Sequence, residues 1–173
     1  MARLAEQVGG PELSQFGRRC LLRQGFVGLD EQALRRLDWP LRFTPALCLT
    51  LTAIGTVAGS AWLLGALALM AGVPTLGVAH PFDLVWERVV RPVVGGPQLP
   101  RTPAPRQFAF VMATPVLSAA AVSFAVGATA VGVAFGTVQM AGCALYVTTG
   151  WCAGSFVHEK LFGPVTAPRS SVA

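Results

Sequence analysis

Charge is scarce in this sequence. Only 12% of its 173 residues are Asp, Glu, Lys or Arg, against roughly 25% in an average globular chain. A water-soluble fold covers most of its surface with polar groups, and eight acidic and thirteen basic side chains are too few to do so. Disorder is excluded as well, because disordered chains are charged and poor in apolar residues, whereas 53% of these residues are hydrophobic. The sequence pI of about 9.7 does not signal nucleic-acid binding, since the basic residues form no solvated face. Metal ligands are also few: two histidines and four cysteines, with no zinc-like spacing. No P-loop, Ser-His-Asp set or carboxylate pair is present, so the chain is not expected to be an enzyme. What remains is an integral membrane protein.

The apolar residues are organised in two uncharged runs. The first, Phe43 to Ala79, would be roughly 55 Å long as a single helix at ~1.5 Å per residue. A bilayer core is only ~30 Å thick, so the run is too long for one span and suits two, near 43–58 and 61–79. Gly59-Ser60 is the natural turn, and Gly72-Val73-Pro74 the end or a kink of the second span. The second run, Gln107 to Val157, fits spans near 108–126 and 130–152 around a turn at Gly127-Ala128-Thr129. Residues to Val157 would carry the last helix out through the interface. A soluble helical bundle would show a polar stripe along each helix, and neither run has one. The expectation is an all-α integral membrane protein with four transmembrane helices arranged as two helical hairpins.

Five segments follow: a 1–42 arm, a 43–79 hairpin, an 80–106 loop, a 107–157 hairpin and a 158–173 tail. Arg3, Arg18, Arg19, Arg23, Arg35, Arg36 and Arg42 precede the first span. Arg88, Arg91, Arg101 and Arg106 lie between the hairpins, and Lys160 and Arg169 follow the last span. All thirteen basic residues are thus on one side. Short loops rich in Lys and Arg stay cytoplasmic, which places both termini and the middle loop on the cytoplasmic face of a bacterial inner membrane. The arm shows no cleavable secretory signal, so the first span is expected to act as the insertion signal.

The segments outside the spans read as amphipathic. In the arm, Leu13, Phe16 and Cys20 share a helical face while Arg18, Arg19 and Arg23 project elsewhere. A second short helix starts at an Asp30 cap, carries Leu34, Leu37 and Trp39, and is stopped by Pro40. Such helices suit either the leaflet surface, with arginines on anionic lipid headgroups, or a protein partner. In the middle loop Pro81 opens a helix in which Phe82, Val85, Trp86 and Val89 make an apolar stripe. Asp83, Glu87, Arg88 and Arg91 lie opposite, Glu87 and Arg91 spaced as an i,i+4 pair. Pro92 should end it, and Val93 to Arg106 should be an extended linker. The residues expected to meet lipid or partner are therefore Phe16, Arg18, Arg19, Trp39, Phe82, Trp86, Arg88 and Arg91.

His80 and His158 sit at the expected cytoplasmic ends of the second and fourth spans, where imidazoles bind haem or pigment or simply cap helices. Glu159 reads as a solvated end group. Cys143 and Cys152, nine residues apart on one continuous helix, would face opposite ways. Cys48 and Cys152 lie at similar depth and can meet, as packing residues or as reactive thiols. The pairs Gly55/Gly59, Gly132/Gly136 and Gly150/Gly154 suggest closely packed helices.

Several stretches carry a resemblance: Gly28-Leu29-Asp30-Glu31, Ser60-Ala61-Trp62-Leu63-Leu64 and Pro81-Phe82 running to Arg88-Val89-Val90-Arg91-Pro92. With them go Ala104-Pro105-Arg106-Gln107-Phe108-Ala109 and Gly150-Trp151-Cys152. From about residue 28 to 158 the chain resembles a bacterial membrane family described as domain of unknown function 4395. Members often end in a Cys-x-x-Cys pair, which implies thiol redox or sulfur handling. Here Cys152-Ala153-Gly154-Ser155 lacks the second thiol.

Three functions are expected in this order. The first is a non-catalytic accessory subunit of a larger membrane complex, of photosynthetic or respiratory type, whose partners are other integral membrane subunits and anionic lipids and not nucleic acid. The second is a thiol- or sulfur-handling membrane protein using Cys152, with Cys48. The third is a haem- or chlorophyll-type pigment binder through His80 or His158. No cofactor is required by the sequence; lipid and pigment are the ligands its residues allow.

Overall fold

The computed structural model describes residues 13–165, which are helical with no strand among them. Arg3 and Arg169 of the charge asymmetry lie outside the described residues. Helix α1 is Gln15–Arg23, with the Ser14 hydroxyl accepting from the Gly17 amide. Helix α2 runs Glu31–Val57, capped by Asp30 as expected, its carboxylate accepting from Ala33 N at 2.7 Å. Helix α3 is Ala61–Gly72, started by Ser60. It tightens into a 3-10 turn, Val73–Leu76, at Pro74. Helix α4, Pro81–Val85, leads through a π turn, Trp86–Val90, into α5, Arg91–Val94. Helices α6, Ala104–Ala125, and α7, Thr129–Thr149, precede a short α8, Ala153–Phe162.

Helices α2, α6 and α7 are each long and apolar enough to cross a membrane. A fourth crossing exists if Ala61–Leu76 and Pro81–Val94, bent by 87° at their junction, count as one broken span. The turns fall where glycine was expected to put them: Gly59 and Gly127 both have positive φ, and Ser60 caps the helix that follows Gly59. Helix α2 packs on α3 and α7, and α6 packs on α3 and α7, so the four long elements close into a ring. Inside it lie Leu64, Leu67, Ala68, Leu117 and Ala120, which are buried, with Phe82 covering one end. The outer faces stay apolar: Trp62 is 92% exposed and Val57 89%. Helices can carry such faces into lipid because every backbone group is bonded within its own segment.

Glycine lets the ring close tightly. Gly136 faces Thr56 of α2, Gly132 lies against the Phe124 ring, and Gly55 meets Leu64. Two of the six paired glycines behave differently. Gly59 and Gly150 adopt left-handed φ and end helices, so neither acts as a packing notch.

Four expectations are corrected by the fold. Pro40 does not stop a helix; α2 continues through both Pro40 and Pro45. Pro45 leaves the Leu41 carbonyl without its usual i+4 donor, and the Arg106 guanidinium supplies one at 3.4 Å. Pro92 does not end the middle-loop helix either: it occupies the first turn of α5, which stops at Gly95 in the left-handed region. The apolar stripe breaks up, with Phe82 and Trp86 buried and Val85 and Val89 exposed; the π turn from Trp86 to Val90 shifts the register after Val85, so Val89 leaves the Phe82 face. Finally, α7 does not run on to residue 157. Its chain turns at Gly150, φ 74°, and α8 folds back against α6.

A second apolar cluster, Leu21, Phe26, Leu34, Leu37 and Leu41, joins α1 to the start of α2. Polar bonds tie this assembly to α7 and α8. Arg42 donates to the carbonyls of Val147 at 2.6 Å and Thr148 at 3.2 Å, satisfying the last turn of α7. Arg23 pairs with Glu159, which is therefore part of the fold and not a free solvated end. Gln24, buried, donates to Gly150 O and accepts from Tyr146 Oη at 2.6 Å. Tyr146→Phe leaves that amide oxygen without its donor, an expected cost of about 1–3 kcal/mol. The check is the thermal midpoint in detergent, and a Gln24→Leu background should make the same change nearly neutral.

Candidate functional site

A cavity of about 240 Å³ lies among α2, α6, α7 and the start of α8. Its walls are mainly apolar, from residues such as Pro45, Leu67, Ala113 and Val116, and three thiols reach it: Cys48 on α2, Cys143 on α7 and Cys152 at the head of α8. Each arrives for a different reason. Cys48 lies one turn past the Thr44–Pro45 step of α2. Cys143 is one turn past Gln139 on α7. Cys152 joins them because Gly150 turns the chain, so the nine-residue separation no longer puts it opposite Cys143. That expectation assumed one unbroken helix, and the break overturns it.

The Gln139 side chain organises two of the three thiols. Its Nε2 lies 3.5 Å from Cys143 Sγ and 3.9 Å from Cys48 Sγ, one amide donor between two sulfurs on facing helices. Cys152 is half-buried in the same wall, and all four cysteines are unbonded. The fourth, Cys20, is buried on α1, where burial pushes its thiol up and makes it unreactive. Among the described residues no three His, Cys, Asp or Glu side chains are placed to hold a metal ion.

One end of the cavity is polar. Asp83, Arg106 and Thr44 are buried there. Thr44 Oγ1 donates to Asp83 Oδ1 at 2.5 Å, and Arg106 Nη2 lies 3.7 Å from the same oxygen. Asp83 was expected on the solvated side of its helix. Packing of Phe82 and Trp86 turns it inward, and Arg106 and Thr44 compensate its charge. Arg106, counted in sequence among the loop arginines, sits in the first turn of α6 and is 5% exposed.

His80 caps α4, its Nδ1 accepting from Phe82 N at 3.1 Å, and stacks on Phe110 at 4.6 Å between centroids. Burial is the main force lowering its pKa to about 4; Asp83 opposes the shift and Arg106 adds to it. The imidazole is therefore neutral at neutral pH, and with Nδ1 accepting, its proton is on Nε2. His158 does not join it. It packs on Phe108 and Phe162, beside a separate shallow recess, and its Nδ1 is buried without a partner. The two histidines thus do not form one ligand pair.

Of the residues expected to meet lipid or partner, Phe16, Arg18, Arg19, Trp39 and Arg88 are exposed. Arg91 pairs with Glu87 as its spacing indicated, at 2.5 Å. Phe82 and Trp86 are consumed inside the chain: Trp86 is fully buried, edge-on to Trp39 at 5.4 Å and above Gly96. Sequence reasoning missed Cys143, Gln139, Arg106 and Tyr146 as site residues. The nearest local signal is the i,i+4 spacing of Gln139 and Cys143 on α7.

The sequence model of one family, described as Domain of unknown function (DUF4395), matches residues 39–162. No curated protein and no solved structure matches the chain.

Proposed function

Because the chain belongs to the DUF4395 family, whose description names no activity, we propose a function from its own residues: a membrane protein that handles thiols or sulfur at the cavity of Cys48, Cys143 and Cys152. The observation that carries this reading is the convergence of three of four cysteines, from three helices, on one apolar cavity with a shared amide donor. Cys48 and Cys143 form the resident dithiol, and half-buried Cys152 exchanges with an incoming disulfide: its thiolate attacks one sulfur, the S–S bond of the incoming molecule breaks, a mixed disulfide forms and the other half leaves as a thiol. The family's missing second thiol, at Ser155, matters less in this arrangement, because Ser155 is committed to the Pro105 carbonyl at 3.2 Å and the partner thiols come from other helices.

The setting proposed for this chemistry is a bacterial inner membrane, crossed four times as two hairpins, with both termini cytoplasmic. The one-sided basic residues support the orientation. Helices of suitable length and apolarity support the crossings.

Diamide treatment of the purified full-length protein in lipid nanodiscs should close a Cys48–Cys143 disulfide. A maleimide–polyethylene glycol label added after denaturation would then reach two of the four thiols. Retention of all four labels would end the reading.

A docking role in a larger complex is the second reading, supported by exposed Phe16, Arg18 and Arg19 on α1 and exposed Trp39 on α2. Co-purification in mild detergent tests it independently. A pigment role draws less support. The cavity is below the ~300–1,000 Å³ of ordinary ligand pockets, too small for a macrocycle on His80.

A further inference from the structure

Resting on the thiol reading above, the geometry points to a lipid-soluble quinone as the oxidant of the Cys48–Cys143 dithiol, taken into the cavity sideways from the membrane. Four observations support it, beginning with where the cavity opens. Met112 of α6 and Val138 and Gly142 of α7 border it and are exposed on the apolar outer surface, while Leu67 and Ala71 close it from within. Near their connecting turn α6 and α7 are in direct contact, Gly132 lying against the Phe124 ring. A molecule entering at the cavity mouth comes from lipid, so the redox partner is apolar and not a water-soluble thiol carrier.

Size is the second. About 240 Å³ holds one ring and not an extended ligand. The third is the wall: Phe110, stacked on His80, and Phe82 present aromatic surface to a flat ring. The fourth is the placement of donors. His80 carries its proton on Nε2, and this N–H is not used in the cap that Nδ1 makes. Gln139 places an amide N–H between the two sulfurs. A carbonyl oxygen of the ring has a neutral donor at the His80 end, and the sulfurs have one at the other.

The reaction balances within these parts. Cys48 and Cys143 lose two electrons and two protons as the S–S bond forms. The quinone gains both electrons, each of its oxygens takes a proton, and a hydroquinone leaves by the same apolar mouth. Dithiol plus quinone gives disulfide plus hydroquinone, and no further co-reactant enters.

The test uses the full chain in nanodiscs and duroquinone, whose fully substituted ring leaves no position for thiol addition. The expected result is one duroquinol formed per chain, a fall from four labelled thiols to two, and a Cys48–Cys143 linked peptide by mass spectrometry. Cys20→Ser should change the label count and nothing else. Cys48→Ser and Cys143→Ser should each abolish duroquinol formation. Because the wild-type readings stand alone, a variant that fails to fold does not leave the question open. If diamide closes the disulfide and duroquinone leaves four thiols, the quinone assignment is wrong and the dithiol reading stands. If neither reagent closes it, both fall. Duroquinone bound without reduction, or a disulfide through Cys152 in place of Cys48 or Cys143, also overturns the assignment.

Discussion

Arg106→Leu is expected to destabilise the protein by about 3–5 kcal/mol, the cost of leaving one member of a buried ion pair alone. Arg106 is the cation nearest the Asp83 carboxylate, and both side chains are at most 10% exposed. It also serves the Leu41 carbonyl that Pro45 leaves open, so one deletion strands two acceptors in an apolar interior. For a chain of this length the loss corresponds to a fall of roughly 6–20 °C in thermal midpoint. Adding Asp83→Asn should recover part of it, since the uncompensated charge is then gone and Thr44 retains a carbonyl oxygen to donate to. Arg106→Lys should fall between, because a single ammonium does not span carboxylate and carbonyl as the guanidinium does. The measurement is a thermal melt in detergent followed by tryptophan fluorescence. A midpoint for Arg106→Leu within about 2 °C of the unaltered protein would show that the pair contributes little, against the range given for buried pairs.

Gly154→Ala is expected to cost about 1–3 kcal/mol by overpacking. A Cβ at this position would fall against the Ala109 backbone, which has no rotamer with which to yield. Helix α8 must then move off α6, breaking the Ser155–Pro105 bond and shifting Cys152 away from the cavity. Two readouts follow from one substitution: a lower thermal midpoint, and faster alkylation of Cys152 by a soluble maleimide. Ala153→Gly, an exposed neighbour, is the control and should leave alkylation unchanged. If Gly154→Ala reacted at the same rate as the parent, α8 would not be what positions Cys152.

Much of the architecture was legible because it depends on local composition. The absence of charge over two long runs, the turns at Gly59-Ser60 and Gly127, and the cap at Asp30 are properties of short stretches, and each appears where the sequence places it. Failures came where a local rule met a tertiary partner. Pro40 and Pro45 are helix breakers by propensity, yet α2 passes through both, with Arg106 donating to the carbonyl that Pro45 leaves open. The loop arginines were read by number, and number does not distinguish exposed Arg88 from buried Arg106. The face assigned to Phe82 and Trp86 was right in being apolar; the packing decided that it turns inward to the chain's own core.

The candidate site illustrates the same division. Cys48 and Cys152 could be placed at one depth by counting residues from their helix ends, and both do line the cavity. Cys143 was set aside because its angular offset from Cys152 assumes a straight helix, and a left-handed Gly150 removes that assumption.

By itself, then, the sequence determined an all-helical, apolar chain with three to four segments long and apolar enough to cross a membrane, because hydropathy and turn chemistry act over a few residues at a time. Only the tertiary structure decided which thiols meet, which arginine is buried, and where the cavity opens. Those outcomes depend on the rotation of each helix about its axis and on breaks such as Gly150. Both are settled by contacts between residues as distant in sequence as Gln24 and Tyr146.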